Sequence, residues 1–179
     1  MTISSKTALT RRRFFTASSA MALSAGTASM ASENGTTLST DFEYEITRTE
    51  EEWRNLLSDA DYDILRKGKT EKRRSSPLWE ETGEGTYHCK GCELKVYDAA
   101  WKRILDKGWV FFYHAEPNSV LLAIDGPVAE YEDMSAGATA LTEVHCRRCG
   151  SHLGHYVFVS GAQTHCINGA ALNFHAKAV

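Results

Sequence analysis

The chain has 179 residues, 42% of them hydrophobic and 24% charged, and this length is enough for one globular domain with a buried core. Its formal net charge at pH 7 is −3, so the chain lacks the surplus of lysine and arginine that neutralises a phosphate backbone. We therefore expect no nucleic acid among its partners.

The first 31 residues have the features of an export signal. Three arginines at positions 11–13 precede two phenylalanines, and a short run of small, weakly apolar residues follows with no acidic residue before Glu33. A basic start, an apolar middle and small residues near a cleavage point predict a secretory signal, and the paired arginines predict the twin-arginine type. A disordered basic tail is the alternative interpretation.

The export signal sets expectations for the location and for the mature chain. It predicts the twin-arginine export machinery as a partner and a periplasmic, or otherwise extracytoplasmic, location. The apolar run is too short and too rich in serine and threonine to cross a membrane stably, so the mature form should have no membrane span. Residues 1–31 are then the signal, residues 32–45 a polar linker and residues 46–179 the folded domain.

Two helix-start signals open the folded domain. Thr49 and Glu52 have the spacing of a capping box, and Ser58 repeats the start signal before a second apolar run that Gly68 ends. The spacing predicts a short helical hairpin. The basic stretch over residues 69–74 is predicted to be a solvated loop.

Beyond Gly83 the pattern changes to short runs rich in β-branched and aromatic residues, separated by glycine, asparagine, aspartate and proline. Such punctuation predicts antiparallel strands joined by tight turns. In chain order the runs are TYHC, LKVYD, WVFFYH, SVLLAI, LTEVHC and HYVFVSG.

Four of the five cysteines form two CxxC pairs: Cys89 and Cys92 in CKGC, and Cys146 and Cys149 in CRRC. A CxxC turn directs two sulfurs at one point and two such turns complete a tetrahedral thiolate shell, so the spacing predicts a structural Zn²⁺ ion. Two disulfides are the alternative in an exported protein. Because twin-arginine substrates cross the membrane already folded, zinc could bind in the reducing cytoplasm before export.

The fifth cysteine, Cys166 in THCINGAAL, stands outside the two CxxC pairs, and the chain has no sixth cysteine to join it in a disulfide. Polar side chains lie near it in the sequence: His152 and His155 in SHLGH, His165 beside it, and Asn168 two residues on. A thiol with an imidazole is the minimal set for thiol chemistry with proton transfer. A buried, inert cysteine with surface histidines is the alternative interpretation.

Taken together, the motifs resemble those of the zinc-type peptide-methionine (R)-S-oxide reductases. The likeness covers about residues 50–175 and runs, in the family's order, through EEWRNLLSDADYDILRKGKTE, SSPLWEETGEGTYHCKGCELKVYD, GWVFF, TEVHCRRCGSHLGH and HCINGAALNF. The resemblance implies a mainly β fold, in which two antiparallel sheets pack as a β-tent with N-terminal helices and a four-cysteine zinc site.

The same resemblance implies a reaction and a role for each residue of the site. Cys166 would attack the sulfur of methionine (R)-sulfoxide in peptides or proteins, and His155 and His152 would supply or relay the proton that the oxygen needs. Trp109 would pack on the S-methyl group of the substrate, and Asn168 would fix the polar side of the site. The products would be methionine and a cysteine sulfenic acid, which suits the repair of oxidised exported proteins.

Some positions depart from the family pattern. Thr164 stands where the family usually has arginine, and Lys107 stands where many members have a resolving cysteine. No acidic residue lies between His155 and Cys166. We therefore expect an enzyme with one redox cysteine that is reduced by an external thiol, such as a thioredoxin-like protein.

The departures leave alternatives open. A side chain from elsewhere could replace the lost charges, the substrate range could have shifted, or the rate could be low. A further alternative is a catalytically weak or inactive zinc-stapled β-tent module that binds a ligand or a protein without chemistry.

Overall fold

The computed structural model describes residues 42–131 and 140–178. The predicted signal, residues 1–31, lies outside the described residues, as does most of the predicted linker, so both assignments stay predictions. Within the described ranges, no helix is long and apolar enough to cross a membrane.

Two short helices, α1 (Glu50–Leu56) and α2 (Asp59–Lys67), begin the folded part of the chain. At the start of α1 the Glu52 carboxylate accepts a 2.7 Å hydrogen bond from the Thr49 backbone N–H, and the Thr49 hydroxyl accepts a 3.3 Å bond from Glu52 N–H. A serine side chain caps α2, and Gly68, left-handed at φ 66°, ends it. The predicted helical hairpin is confirmed, and its caps explain where each helix begins.

Nine strands follow among the described residues: β1 (Gly85–Cys89), β2 (Lys95–Asp98), β3 (Lys102–Arg103), β4 (Val110–Phe112), β5 (Val120–Asp125), β6 (Leu141–Cys146), β7 (His152–Val159), β8 (Ala162–Ile167) and β9 (Leu172–Ala176). They form a three-stranded sheet in the order β2-β1-β9 and a six-stranded sheet in the order β3-β4-β8-β7-β6-β5. Every neighbouring pair is antiparallel. The predicted mainly β fold with two antiparallel sheets and N-terminal helices is therefore confirmed.

The strands β3, β8 and β9 are not among the runs that the sequence pattern predicts, and β8 is the one that carries Cys166. It is polar, with Gln163, Thr164 and His165, yet it lies between β4 and β7 and most of its residues are buried. Alternating hydrophobicity marks a strand that has one solvated face, and a central strand that buries polar side chains lacks this signal. The turn at Ser160 and Gly161, where φ is 48° and 81°, brings β8 back against β7.

Two apolar clusters fill the interior. The larger one joins the helices, the three-stranded sheet and part of the six-stranded sheet, and it includes three of the four CxxC cysteines. The smaller one, here the Cys166 cluster, consists of buried Trp109, Phe111, Tyr131, Leu141, Val157, Val159 and Cys166. Strand β4 contributes to both clusters, with Val110 and Phe112 in the larger and Phe111 in the smaller, because successive side chains of a strand point to opposite faces. The six-stranded sheet therefore separates the zinc cysteines from Cys166.

Candidate active site and metal centre

The four CxxC cysteines meet at one point, as the spacing predicts. The Sγ atoms of Cys89 and Cys149 are 3.8 Å apart, those of Cys92 and Cys146 are 3.5 Å apart, and all four lie within 4.8 Å of one another. Tetrahedral Zn–S bonds of about 2.3 Å place sulfurs about 3.8 Å apart, whereas a disulfide requires about 2.0 Å. The geometry fits a zinc ion and not two disulfides, and the predicted zinc site is confirmed.

Each pair of zinc ligands is set by a strand end and the turn that follows it. Cys89 ends β1 and Cys146 ends β6. The backbone N–H groups of Glu93 and Gly150 close the turns by donating to the carbonyls of Cys89 and Cys146, at 2.8 and 2.9 Å. The hydrogen bond between them raises the pKa of Cys146 and lowers that of Cys149. A Zn²⁺ ion held by these four residues would stabilise the thiolates and join the two sheets.

Cys166 lies in the middle of the six-stranded sheet. It is fully buried on β8, where its register partners are Phe111 on β4 and His155 on β7. Residues directly opposite in an antiparallel pair project to the same face, so the thiol and the His155 imidazole are neighbours. The glycine before His155 permits this close approach, because a Cβ at Gly154 would stand 2.1 Å from the Cys166 carbonyl oxygen. The thiol is therefore set beside an imidazole, and neither residue opposite it on the neighbouring strands is a cysteine.

Both predicted histidines are held by carboxylates from other strands. His155 Nε2 lies 2.8 Å from Asp125 Oδ2 at the end of β5, and His152 Nδ1 lies 2.7 Å from Glu143 Oε1 on β6. The other nitrogens, His155 Nδ1 and His152 Nε2, are buried and have no hydrogen-bond partner among the described residues. The imidazole rings meet edge to face, with centroids 5.1 Å apart. The acid that the sequence lacks between His155 and Cys166 is thus supplied from strands that are distant in sequence.

The charge state of these pairs follows from burial and hydrogen bonding. Burial lowers the pKa of His155, although Asp125 raises it. Burial raises the pKa of Asp125, but hydrogen bonds from His155 and the Gly126 N–H outweigh it and leave the pKa below its usual value. The hydrogen bond to His152 lowers the pKa of Glu143. At neutral pH both carboxylates are therefore ionised, and His155 is neutral and donates its Nε2 proton to Asp125.

Asn168 acts on the backbone around the site. Its side-chain N–H donates to the Leu153 carbonyl at 3.1 Å, and its carbonyl oxygen accepts from the Glu71 backbone N–H at 2.9 Å. The carbonyl of Glu71 in turn accepts from the Trp109 indole N–H at 3.2 Å. Asn168 therefore ties β7 and the segment after α2 to the end of β8.

Glu71 is a part of the site that sequence reasoning missed. It lies in the basic stretch predicted to be a solvated loop, yet it is only 5% exposed. Its carboxylate accepts from the backbone N–H groups of Gly169 and Ala170 at 2.6 and 2.9 Å. Burial raises the pKa of Glu71, while these two hydrogen bonds oppose the change. A single acid inside a run of lysines and arginines was the only signal for this role.

Trp109 and Tyr131 are buried together with the thiol in the Cys166 cluster. The Trp109 indole is 1% exposed and meets the edge of the Tyr131 ring at 5.1 Å, and Tyr131 meets the His155 ring at 5.4 Å. The Arg73 guanidinium lies 4.6 Å from the indole centroid and places a positive charge at the outer edge of the cluster. Burial, with a smaller contribution from Cys166, raises the pKa of Tyr131, which therefore stays a neutral phenol.

Thr164 and Lys107, which depart from the family pattern, make the following contacts. Thr164 is fully buried on β8, two residues before Cys166, and its hydroxyl donates to the Val157 carbonyl at 3.5 Å. Lys107 lies half-buried in the turn two residues before Trp109, and its backbone N–H donates to the Leu105 carbonyl. Thr164 therefore brings no charge to the site, whereas the Arg73 guanidinium places a positive charge 4.6 Å from the indole centroid.

A surface cavity approaches the site from the side of Asp125. It has a volume of about 300 Å³ and is lined by residues 68–70 and 125–130. The Asp125 side chain is 41% exposed while the His155 side chain is fully buried. The carboxylate therefore connects a buried imidazole to solvent, which is the arrangement that a proton relay needs.

Comparison with known proteins gives consistent results. A model of the SelR domain matches residues 57–176. A peptide methionine sulfoxide reductase MsrB of Leifsonia xyli subsp. xyli is 36% identical over 141 residues, which cover 75% of this chain and 94% of that protein. The MsrB proteins of Leptospira interrogans and Thiobacillus denitrificans are 34% and 35% identical over 138 and 134 residues, covering 75% and 73% of this chain and 98% and 95% of their own lengths.

Proposed function

Because the chain belongs to the SelR domain family, we propose that it reduces methionine (R)-sulfoxide in peptides or proteins to methionine, with Cys166 as the nucleophile. The names of the relatives support reduction of methionine sulfoxide as the reaction class. The observation that carries the assignment to Cys166 is its register opposite His155, whose imidazole is held by Asp125.

The first step transfers oxygen from the substrate to the thiol. The Cys166 sulfur attacks the sulfoxide sulfur, the sulfoxide oxygen is protonated, and the S–O bond of the substrate breaks as the hydroxyl passes to the cysteine sulfur. The sulfoxide is reduced by two electrons to a thioether, and the thiol is oxidised to a sulfenic acid. Two equivalents of an external thiol then return Cys166 to the reduced state, releasing a disulfide and water.

His155 moves the proton in this scheme. With its Nε2–H directed at Asp125, neutral His155 presents the Nδ1 lone pair, which takes the thiol proton and then delivers it to the sulfoxide oxygen. The ionised Asp125 stabilises the imidazolium formed in between. Glu143 holds His152 through its Nδ1 atom, and the His152 ring packs edge to face on His155. His152 therefore helps to keep the His155 imidazole in place.

The apolar wall of the site selects a thioether-like group. Trp109 and Tyr131 provide aromatic faces against which an S-methyl group packs favourably. Because the thiol, the indole and His155 are all buried, neighbouring side chains must move for a substrate to reach the sulfur.

We also propose that the protein works outside the cytoplasm, on oxidised exported proteins, and that a thioredoxin-like thiol reduces it there. The basic and apolar pattern of residues 1–31 supports export, and the single cysteine outside the zinc shell supports an external reductant. Fractionation of a bacterial host with twin-arginine machinery tests the location. The full chain should reach the periplasm, a variant with Arg11→Lys and Arg12→Lys should stay inside, and Arg13→Lys is the matched control.

The activity is tested with dabsylated methionine sulfoxide of defined stereochemistry and dithiothreitol. Zinc-loaded wild type should reduce the R epimer and leave the S epimer, and Cys166→Ser should lose activity while keeping its zinc and its unfolding transition. Mass spectrometry after one equivalent of sulfoxide should find a dimedone adduct on Cys166. No reduction by folded wild type would overturn the proposal in favour of the binding module, for which the buried, uncharged Thr164 in place of the family's arginine is the supporting observation.

A further inference from the structure

We infer that His88, Glu93 and His175, here the surface triad, form a second metal site that binds a transition-metal ion such as Zn²⁺. Their ligand atoms, two imidazole nitrogens and one carboxylate oxygen, all lie within 4.8 Å of one another. The triad uses none of the four zinc cysteines and does not include Cys166, although His88 and Glu93 are the chain neighbours of Cys89 and Cys92. The inference does not depend on the proposed reductase activity.

Strand register brings the two histidines together. On the β1–β9 pair, Thr86 lies opposite His175 and His88 lies opposite Asn173, so the two histidines are diagonal neighbours on one face of the three-stranded sheet. Their rings stack with centroids 4.1 Å apart. Glu93, in the turn after β1, reaches the same face, and its Oε2 lies 3.3 Å from His175 Nε2.

Supporting contacts orient the ligand atoms. His88 Nδ1 lies 3.0 Å from the Glu93 carbonyl oxygen, which can only accept, so Nδ1 carries the proton and Nε2 keeps its lone pair. This arrangement, with one ring nitrogen held by a carbonyl and the other left basic, is the usual one for a metal-binding histidine. The Asn173 side chain donates to Glu93 Oε1 and leaves Oε2 directed at His175.

The backbone of Glu93 adopts a conformation that three other non-glycine residues of the described ranges share, namely Arg74, Asn118 and Ser160. Glu93 has a left-handed conformation at φ 58°, and the equivalent position after the other CxxC pair is Gly150 at φ 67°. A non-glycine residue costs about 1 kcal/mol or more in this conformation.

The donor set selects the metal. Two imidazoles and one carboxylate suit zinc, copper or nickel better than magnesium or calcium, which prefer oxygen ligands alone. Ligand atoms of a tetrahedral site stand about 3.4 Å apart, so the triad must contract from its present spread. The His175 side chain is 53% exposed and can turn out of the ring stack, and the Thr86 hydroxyl, 2.9 Å from His88 Nε2, must release that nitrogen. Three protein ligands would leave one position for water.

Zinc content measured by mass spectrometry tests the site. Protein without a histidine tag is dialysed against buffer with micromolar free Zn²⁺, and bound zinc per chain is compared with that of protein from zinc-free buffer. Wild type should gain about one equivalent beyond the structural ion of the four cysteines. His175→Ala and Glu93→Gln should lose that gain, while His114→Ala, an exposed histidine that packs on Trp101, should keep it.

Two further measurements assign the zinc uptake to the surface triad. Circular dichroism verifies that His175→Ala stays folded, and Cys166→Ser should bind the second zinc like wild type because the thiol is not a ligand. The inference is overturned if wild type takes up no zinc beyond the structural ion, or if His114→Ala loses as much as His175→Ala.

Discussion

The four-cysteine zinc shell and the Cys166 site both bury cysteine sulfur, but they are assembled in different ways. The zinc ligands come as two local pairs, each fixed by one strand end and one turn. The partners of Cys166 come from β4, β5, β6 and β7 and from the segment after α2, and only strand register brings them together. Short-range spacing thus determines the metal centre, while the proposed site of reduction around Cys166 depends on the whole sheet.

If the local pairs hold the two sheets together, removing zinc should have the largest effect of any change. Structural zinc contributes on the order of 10 kcal/mol, which is comparable with the entire stability of a domain. We expect chelation, or Cys149→Ser, to abolish the cooperative thermal transition seen by circular dichroism, and added zinc to restore it to chelated wild type. A metal-free protein that melts at an unchanged temperature would contradict the zinc assignment.

Asp125 tests whether the Cys166 site depends on residues brought together from distant strands. Asp125→Asn keeps the hydrogen bond to His155 but removes the charge that stabilises its imidazolium, so kcat/KM should fall about 10²–10⁴-fold. Asp106→Asn, on a carboxylate that is 79% exposed, is the matched control and should retain activity. Equal rates for the two variants in the R-sulfoxide assay would exclude Asp125 from the proton path.

Burial of polar residues on β8 predicts a pH dependence of stability. Burial lowers the pKa of His165 to about 4, from about 6.5 in the unfolded chain. Between these values the unfolded state binds more protons than the folded state, so the free energy of unfolding should fall as the pH falls, by about 3 kcal/mol over this window.

The matched variant for this prediction is His165→Gln, which retains a polar group near the Tyr97 hydroxyl, 3.0 Å from His165 Nδ1 in wild type. Urea titrations of both proteins between pH 4 and pH 7 give the two slopes. The slope should be shallower in the variant, and parallel curves would show that His165 does not titrate on unfolding.

A smaller effect is expected at Glu71, which links the segment after α2 to the end of β8. In Glu71→Gln one of the two backbone N–H groups of Gly169 and Ala170 faces an amide N–H, so the free energy of unfolding should fall by about 1–3 kcal/mol. Glu84→Gln, on a side chain 79% exposed, should change it little. Denaturant titration measures both, and equal stabilities would show that the carboxylate does not hold this segment.

The parts of the fold that the sequence predicts are those with local causes. The capping box at Thr49 and the left-handed Gly68 bound the helical hairpin, and the two CxxC spacings define the metal site. The polar strand β8 is missed because it is central and buried, so its residues show no alternation. The zinc site is predictable from spacing because each CxxC turn by itself directs two sulfurs at one point.

The candidate site is predictable only in part, because several of its residues are brought together by strand register and not by local sequence. The residues that the family resemblance assigns include Cys166 and His155, and the register places these two side by side. Asp125, Glu143 and Tyr131 are not predicted, since each lies far from Cys166 in sequence and has no motif of its own. An acidic residue within or at the end of an apolar strand, as at Glu143 and Asp125, is the signal that could have drawn attention to them.

The absence of a side chain at Gly154 lets the backbones of β7 and β8 approach as closely as they do. Any Cβ at this position would overlap the Cys166 carbonyl, so a library randomised at position 154 and selected for folded protein should return glycine almost alone. Gly126, where a Cβ would meet nothing within 4 Å, should accept many residues in the same selection. The spacing of the two backbones therefore limits which amino acids position 154 accepts. This glycine should tolerate substitution as poorly as the residues proposed to take part in the reaction.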